Sequence, residues 1–299
     1  MFKKVMSRKT ISTLFLTLII LALALTGCGA QQPQQAATPT PTPANPNLIL
    51  STTTSTQDSG LLDVLIPAFE KKTGYKVKTV AVGTGAALAN ADKGDADVVL
   101  VHAPSSEKQY VDNKTLTNYN LVMHNDFIIV GPTSDPAKIK GMKTAVEAFT
   151  AIEKNKSVFL SRGDKSGTDT MEKGIWTKAN IKPAGTWYQE TGSGMGQTLT
   201  IASDKAAYTL TDRATYLANQ KNLKLDILVQ GETALLNIYH VAQVNPEKFP
   251  KVNADGAKAF VSFMLDPDTQ KMIGEYGKDK YNQALFFADA GKKMEDLGK

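Results

Sequence analysis

LILSTTTSTQDSGLLDVLIPAFEKKTGYKVKTVAVGTGAALANADKGDADVVLV, residues 48–101, decides the fold. Leu48, Ile49 and Leu50 make a short apolar strand, followed by a polar loop from Ser51 to Ser59. Leu61, Leu62, Leu65, Ile66 and Phe69 then recur at helical spacing, with Lys71 and Lys72 in the last turn and Gly74 as the stop. Pro67 lies inside that pattern and predicts a kink. Tyr75 to Val82 reads as a second strand, Gly85 to Lys93 as a short helix and Ala96 to Val101 as a third strand. This alternation is the signature of a parallel sheet with helices on its faces, an α/β fold. Ligands of such sheets sit at the carboxyl ends of the strands, where Ser51–Ser59 and Gly83-Thr84-Gly85 fall.

The same rule repeats downstream. Phe127 to Val130 is a buried-strand candidate before Gly131-Pro132. Val158-Phe159-Leu160 feeds the polar loop Ser161–Thr168, Trp187-Tyr188 leads into Thr191–Gly194, and Ala206-Ala207-Tyr208 leads into Thr209–Arg213. Ile238 to Val244 is extended, and the last 45 residues read as helical, with Phe260, Phe263, Met264 and Leu265 as core.

Loops rich in Gly, Ser and Thr at helix starts offer unpaired N–H groups, the positive end of the helix dipole and small hydroxyl donors. Oxyanions bind such places. Ser51 to Thr56 is six hydroxyl residues in a row, a cluster that could also serve only to cap its helix. Ser161-Arg162-Gly163-Asp164-Lys165-Ser166-Gly167-Thr168 combines hydroxyls and glycines with a guanidinium suited to bidentate oxyanion contact, unless Arg162 only pairs with an acid. Gly83-Thr84-Gly85 alone is a weaker signal, because tight turns use such triplets.

The N-terminus reads as an address. Lys3, Lys4, Arg8 and Lys9 precede an apolar run from Ile11 to Leu25, shorter than the roughly 20 residues of a spanning helix. Leu25-Thr26-Gly27-Cys28 resembles a bacterial lipoprotein signal, so residues 1–27 are expected to be a leader and Cys28 the lipidated residue. Gly29 to Asn47, with Pro33, Pro39, Pro41, Pro43 and Pro46, reads as an extended tether. The formal net charge of +5 drops to about +1 without the leader, which argues against nucleic acid as a partner. Cys28 is the only cysteine, so no intramolecular disulfide forms.

STTTSTQDSGLLDVLIPAFEKKTGYKVK, VAVGTGAALANADKGDADVVLVHAP, NDFIIVGP, SRGDKSGTDTMEKGIW, WYQETGSGMGQTL and AYTLTDRATYLA occur in that order. Together they resemble the tungstate-binding proteins of bacterial ABC importers, relatives of molybdate- and phosphate-binding proteins. The resemblance implies a type II periplasmic-binding-protein fold: two α/β lobes, two crossing hinge strands and the anion in the cleft between the lobes. It implies lobe 1 at residues 48–126 and 239–299, lobe 2 at 127–238, and crossings near Asn125–Val130 and Ile238–Val244. On the TTTS motif (Thr52, Thr53, Thr54, Ser55), Thr53, Thr54 and Ser55 are the expected oxyanion ligands. Thr84 is expected from the glycine loop, and Arg162, Ser166, Gly167 and Thr168 from the opposite lobe. Thr191 and Thr209 are further wall candidates. No cofactor and no metal cation are implied, the tungsten being held as its oxyanion. The resemblance also implies an ABC permease as partner, an extracytoplasmic location anchored through Cys28, and a monomer. Relatives more often carry Asn-Pro-Tyr-Gly where this chain has Asn237-Ile238-Tyr239-His240, which leaves the second crossing open.

Other functions leave weaker traces. His102, His124 and His240 are isolated in sequence and lack metal-ligand spacing, Gly192-Ser193-Gly194 is no nucleophile elbow, and Gly163–Thr168 lacks phosphate-loop spacing, so no enzyme is expected. Arg162-Gly163-Asp164 spells an integrin-binding tripeptide, a reading that requires Arg162 to be displayed on the surface. Within the anion class, molybdate matches tungstate in charge and shape, while phosphate and sulfate are the remaining competitors. Monohydrogen phosphate would benefit from a carboxylate acceptor. Asp164, Asp169 and Asp212 lie near the loops and are expected to point away from the anion and fix Arg162, Arg213 or loop amides.

Overall fold

The computed structural model describes residues 42–297. The expected leader, Cys28 and most of the tether lie outside them. Asn45 and Pro46 are tied to the fold, the first accepting from Asn253 Nδ2 at 3.0 Å and the second from Lys76 N at 2.7 Å.

Two sheets share one long strand. In the first, β1 (Asn47–Thr53) lies between β2 (Lys76–Val82) and β3 (Val98–Val101), all parallel, as the alternating pattern predicts. β9 (Leu236–Val244) adds antiparallel to β3, and β4 (Leu116–Pro132) adds antiparallel to β9. β4 then leaves this sheet. Its residues through Asp126 pair with β9, whereas Phe127–Val130 pair with β7 (Tyr208–Asp212) of the second sheet. There β5 (Phe159–Ser161) pairs in parallel with β7 and with β6 (Tyr188–Glu190), and β8 (Leu225–Val229) flanks β4. The chain therefore passes from the first sheet to the second at Asp126–Phe127. The return comes between the end of β8 at Val229 and the start of β9 at Leu236, earlier than expected. Ile238–Val244 already belongs to the first sheet, because these residues alternate against β3 and β4 rather than bridging lobes.

Several loops turn out shorter than their composition suggests. Ser51–Thr53 completes β1 as buried strand, and a short helix α1 (Thr54–Asp58) follows directly. Helix α2 (Leu62–Thr73) continues through Pro67 and stops at Gly74, whose φ of 79° suits glycine. Helix α3 (Thr84–Lys93) starts on Gly83, and α4 (Pro104–Asp112) leads to β4. In the second lobe α5 (Ala145–Lys154), α6 (Gly167–Lys178), α7 (Met195–Asp204) and α8 (Arg213–Asn219) each precede or follow a strand. The C-terminal part is helical only in α9 (Ala254–Leu265), α10 (Pro267–Glu275) and α11 (Lys278–Tyr281), and then adds a two-residue strand, β10 (Phe287–Ala288), against β4. The expected all-helical tail is thus interrupted, and Leu285 and Phe286 enter the core from an irregular segment.

Burial explains which faces meet. Phe69 of α2 packs edge-on against Phe260 and Phe263 of α9, at ring separations of 5.1 and 5.4 Å, and so clamps the chain's end onto its beginning. In the second lobe Phe149, Phe159 and Trp176 form the corresponding cluster. Truncating such a ring removes its transfer free energy and leaves a cavity. Phe69→Ala should therefore lower unfolding stability by about 3–5 kcal/mol in urea denaturation; a loss below about 1 kcal/mol would contradict this packing.

Candidate functional site

The carboxyl ends of β1, β3, β5 and β7 face the same interlobe cleft, and the residues just beyond them build the site. Thr53 ends β1 and caps α1, its Oγ1 accepting from Thr56 N. Thr54 follows, and its Oγ1 accepts a hydrogen bond from Arg162 Nη2 of the other lobe at 2.9 Å. Ser55 Oγ lies 3.0 Å from His102 Nε2, and Thr53 Oγ1 lies 2.9 Å from the same nitrogen. Thr84, in the first turn of α3, accepts from Gly167 N across the cleft at 3.1 Å.

Arg162 is the centre of the second lobe's contribution. It is only 2% exposed, which removes the tripeptide 162–164 as a displayed adhesion motif. Its Nε donates to Ser193 O at 3.3 Å, and Nη2 donates to Asp164 as well as to Thr54. Nη1 is buried without any hydrogen-bond partner, and so is Thr168 Oγ1. Ser166 caps α6 by accepting from Asp169 N, and Gly167 and Thr168 form that helix's first turn. Gly167 permits a close approach: a Cβ there would lie 2.9 Å from His102 Nδ1 and 3.0 Å from His102 O. Leaving a buried polar group unpaired costs on the order of 1–3 kcal/mol, more for a charged one. Two such donors, one just after β5 and one in the first turn of α6, fit a ligand that accepts hydrogen bonds and carries negative charge.

The expected acids behave differently from one another. Asp164 fixes Arg162 and Ser166 N, and Asp169 accepts from Gly163 N and Lys165 N, as expected of residues that shape the loop. Arg213 is held by Asp126 on the hinge strand. Asp212 caps α8 through Oδ1, which accepts from Thr215 N at 2.8 Å, but its Oδ2 is buried and unpartnered. Among the wall candidates, Thr209 Oγ1 donates to Leu160 O inside the sheet, and Thr191 Oγ1 lies 2.9 Å from Thr198 Oγ1 at the start of α7. Thr209 belongs to β7, so its hydroxyl serves the strand pairing.

Sequence reading missed four participants. Asp58 of α1 reaches across and accepts from Gly196 N at 2.9 Å, so it occupies the amide end of α7. His102, Asn237 and Asn125 form a buried line behind the TTTS segment. His102 Nδ1 lies 2.8 Å from Asn237 Oδ1, and Asn237 Nδ2 donates to Asn125 Oδ1 at 2.8 Å and to Tyr239 Oη at 3.1 Å. With the Asn237 amide so engaged, Nδ1 is the protonated nitrogen of His102, and Nε2 accepts from the hydroxyls of Thr53 and Ser55. His102 follows β3 directly, so the strand-end rule that located Thr54 applies to it too. Among the described residues no cluster of His, Cys, Asp or Glu could hold a metal ion.

Burial sets the charges. It lowers the His102 pKa to about 4, with the Arg162 charge acting in the same direction, while Asn237 and Glu107 oppose it. Burial also raises Asp58 above the ordinary carboxylate value, against the Gly196 amide and Arg162. His102 is thus neutral in the folded protein while an unfolded chain would protonate it below about 6.5. Between pH 6.5 and 4 the unfolded state binds the extra proton, so folding stability attributable to His102 is lost as pH falls. Urea midpoints over this window should fall less steeply for His102→Gln than for the wild type; parallel profiles would show that His102 does not titrate in this way.

The chain matches the PBP superfamily domain over residues 36–268. It is 48% identical over 244 residues to the tungstate-binding protein TupA of Peptoclostridium acidaminophilum, covering 81% of this chain and 85% of that one. Among solved structures it is similar to the tungstate ABC transporter protein from Geobacter sulfurreducens, at 49% identity and a TM-score of 0.72, covering 77% of this chain and 98% of that one. The tungstate-binding protein TupA from Desulfovibrio alaskensis G20 is 43% identical with a TM-score of 0.68, covering 82% and 99%. A two-lobed α/β chain with its polar loops facing one cleft, related in sequence over most of its length, belongs to the PBP superfamily and within it to the tungstate-binding proteins of ABC transporters.

Proposed function

We propose that this chain is an extracytoplasmic solute-binding protein that captures tungstate between its lobes and delivers it to an ABC permease. The carrying observation is the pair of buried donors without partners, Arg162 Nη1, whose guanidinium also meets Thr54 of the TTTS segment, and Thr168 Oγ1 in the first turn of α6. A tetrahedral dianion presents acceptors in several directions and offsets the buried guanidinium charge. Thr54, Ser55 and Thr84 from one lobe and Ser166, Gly167 and Thr168 from the other are the proposed surroundings. Thr53 acts mainly as the cap that holds them, because its oxygen already serves Thr56 and His102. No bond of the ligand is made or broken.

Closure is supported by the bonds that cross the cleft. Thr54 with Arg162, Gly167 with Thr84, Gly196 with Asp58, Thr215 Oγ1 with Ser55 O at 3.1 Å, and Gly85 N with Lys165 O at 3.2 Å all join opposite lobes. Each would be exchanged for water on opening, so capture and release amount to a hinge motion about β4 and the segment before β9. Among the described residues no helix is long and apolar enough to cross a membrane. Anchoring is proposed to come from a lipidated Cys28, because two acyl chains suffice for stable attachment. The chain is proposed to act as a monomer.

Molybdate has the same charge and shape, and the preference for tungstate rests on the relatives' names. Calorimetric titration of the full chain should give tungstate as the tighter ligand over sulfate and phosphate, with molybdate as the nearest competitor; equally weak binding of all four would overturn the reading. Arg162→Ala should weaken tungstate binding by about tenfold to a hundredfold, the range of one charge-assisted hydrogen bond. An unchanged affinity would remove Arg162 from the site.

A further inference from the structure

A closed ring of side-chain and backbone hydrogen bonds runs behind the anion loop. Ser55 Oγ meets His102 Nε2, His102 Nδ1 meets Asn237, and Asn237 donates to Asn125. Asn125 Nδ2 then donates to Asp212 Oδ1 at 3.4 Å, which also accepts from Thr215 N, and Thr215 Oγ1 donates back to Ser55 O. The ring passes through lobe 1, both hinge strands and lobe 2. One of its members has an end left over. Asp212 is wholly buried at the carboxyl end of β7, whose parallel neighbour β5 leads into Arg162, and its Oδ2 has no partner.

Resting on the anion reading above, we propose that Asp212 takes up a proton from solvent when the anion binds, and that the protonated Oδ2 then donates a hydrogen bond to it. Two donors to Oδ1 fix which oxygen is free, so the carboxyl cannot turn away without breaking the helix cap. An ionised carboxylate in this position would repel a dianion, whereas a carboxylic acid adds a third buried donor to those of Arg162 and Thr168. The charged and titratable groups facing it are Arg162 from the β5–α6 loop, Asp58 from α1 and Tyr239 from β9. Arg213, beside it on α8, turns to Asp126. Burial pushes the Asp212 carboxyl up to about 6, with its amide bonds and Arg162 opposing and Asp58 assisting. A bound dianion raises it further, because like charges disfavour ionisation.

The sign follows from linkage. The complex holds one more proton than the free protein at pH values between the two pKa values of Asp212, so affinity rises as pH falls through that window. The limiting slope is about tenfold in association constant per pH unit. Calorimetry of the full chain with sodium tungstate, repeated in buffers of different ionisation enthalpy near pH 7, counts the protons taken up per anion bound. The wild type should take up a substantial fraction of one proton, and Asp212→Asn, which mimics the neutral carboxyl, should take up none and bind with an affinity flat from pH 6.5 to about 8.5. Asp58→Asn should keep the uptake. Tungstate binding by the wild type with no proton uptake would overturn the proposal even if Asp212→Asn failed to fold. Loss of uptake in Asp58→Asn alone would overturn it as well, by assigning the proton to Asp58. Absence of any tungstate binding would instead overturn the anion reading itself.

Discussion

A guanidinium held in a closed cleft with one nitrogen unbonded is the constraint around which the second lobe is arranged. Taking the Arg162 charge out of water costs several kcal/mol. Asp164, Thr54 and Ser193 offset part of that cost, one of them from the opposite lobe. Nη1 remains, next to a segment whose Ser166 caps α6 and whose Thr168 hydroxyl is likewise unbonded. Arg162 therefore ties together the orientation of its loop, the contact between the lobes and, on the proposed reading, the demand for an anion. Bulk charge contributes little, because outside the expected leader the chain is nearly neutral.

The lobes are joined by more than peptide bonds. Hydroxyls of the TTTS segment lean on His102, which leans on Asn237 and Asn125 of the two strands at the crossing. Because His102 stays neutral, its Nε2 accepts and aligns those hydroxyls, while a charged imidazole would donate and repel an approaching Arg162. The buried polar line thus connects the TTTS hydroxyls to the two strands at the crossing. Asp58 performs the complementary task at the cleft's other side, where its carboxylate engages the start of α7.

The sheet that carries the site was legible from residues 48–101, because short apolar runs alternating with a helical pattern, with polar turns between them, mark parallel strands. Of the residues expected around an anion, Thr54 meets Arg162 and Thr84 meets Gly167 across one cleft. What escaped was set by tertiary contact. Ser51–Thr53 looked like loop on composition, yet pairing with β2 and β3 makes it strand. Thr209 looked like a loop hydroxyl, yet it serves the β5–β7 pairing. Asp212 looked like a residue that fixes its surroundings, and only the accounting of its two oxygens separates the bound one from the free one. Asn237 and His102 lie 135 residues apart, and no local pattern joins them.

The most direct measurement is anomalous diffraction at a tungsten absorption edge from crystals grown with tungstate. The predicted result is a single strong peak in the interlobe cleft, with oxyanion oxygens within about 3 Å of Arg162 Nη1 and Thr168 Oγ1. A peak away from the cleft, or closed lobes with no tungsten between them, would contradict the assignment of these two donors to the ligand.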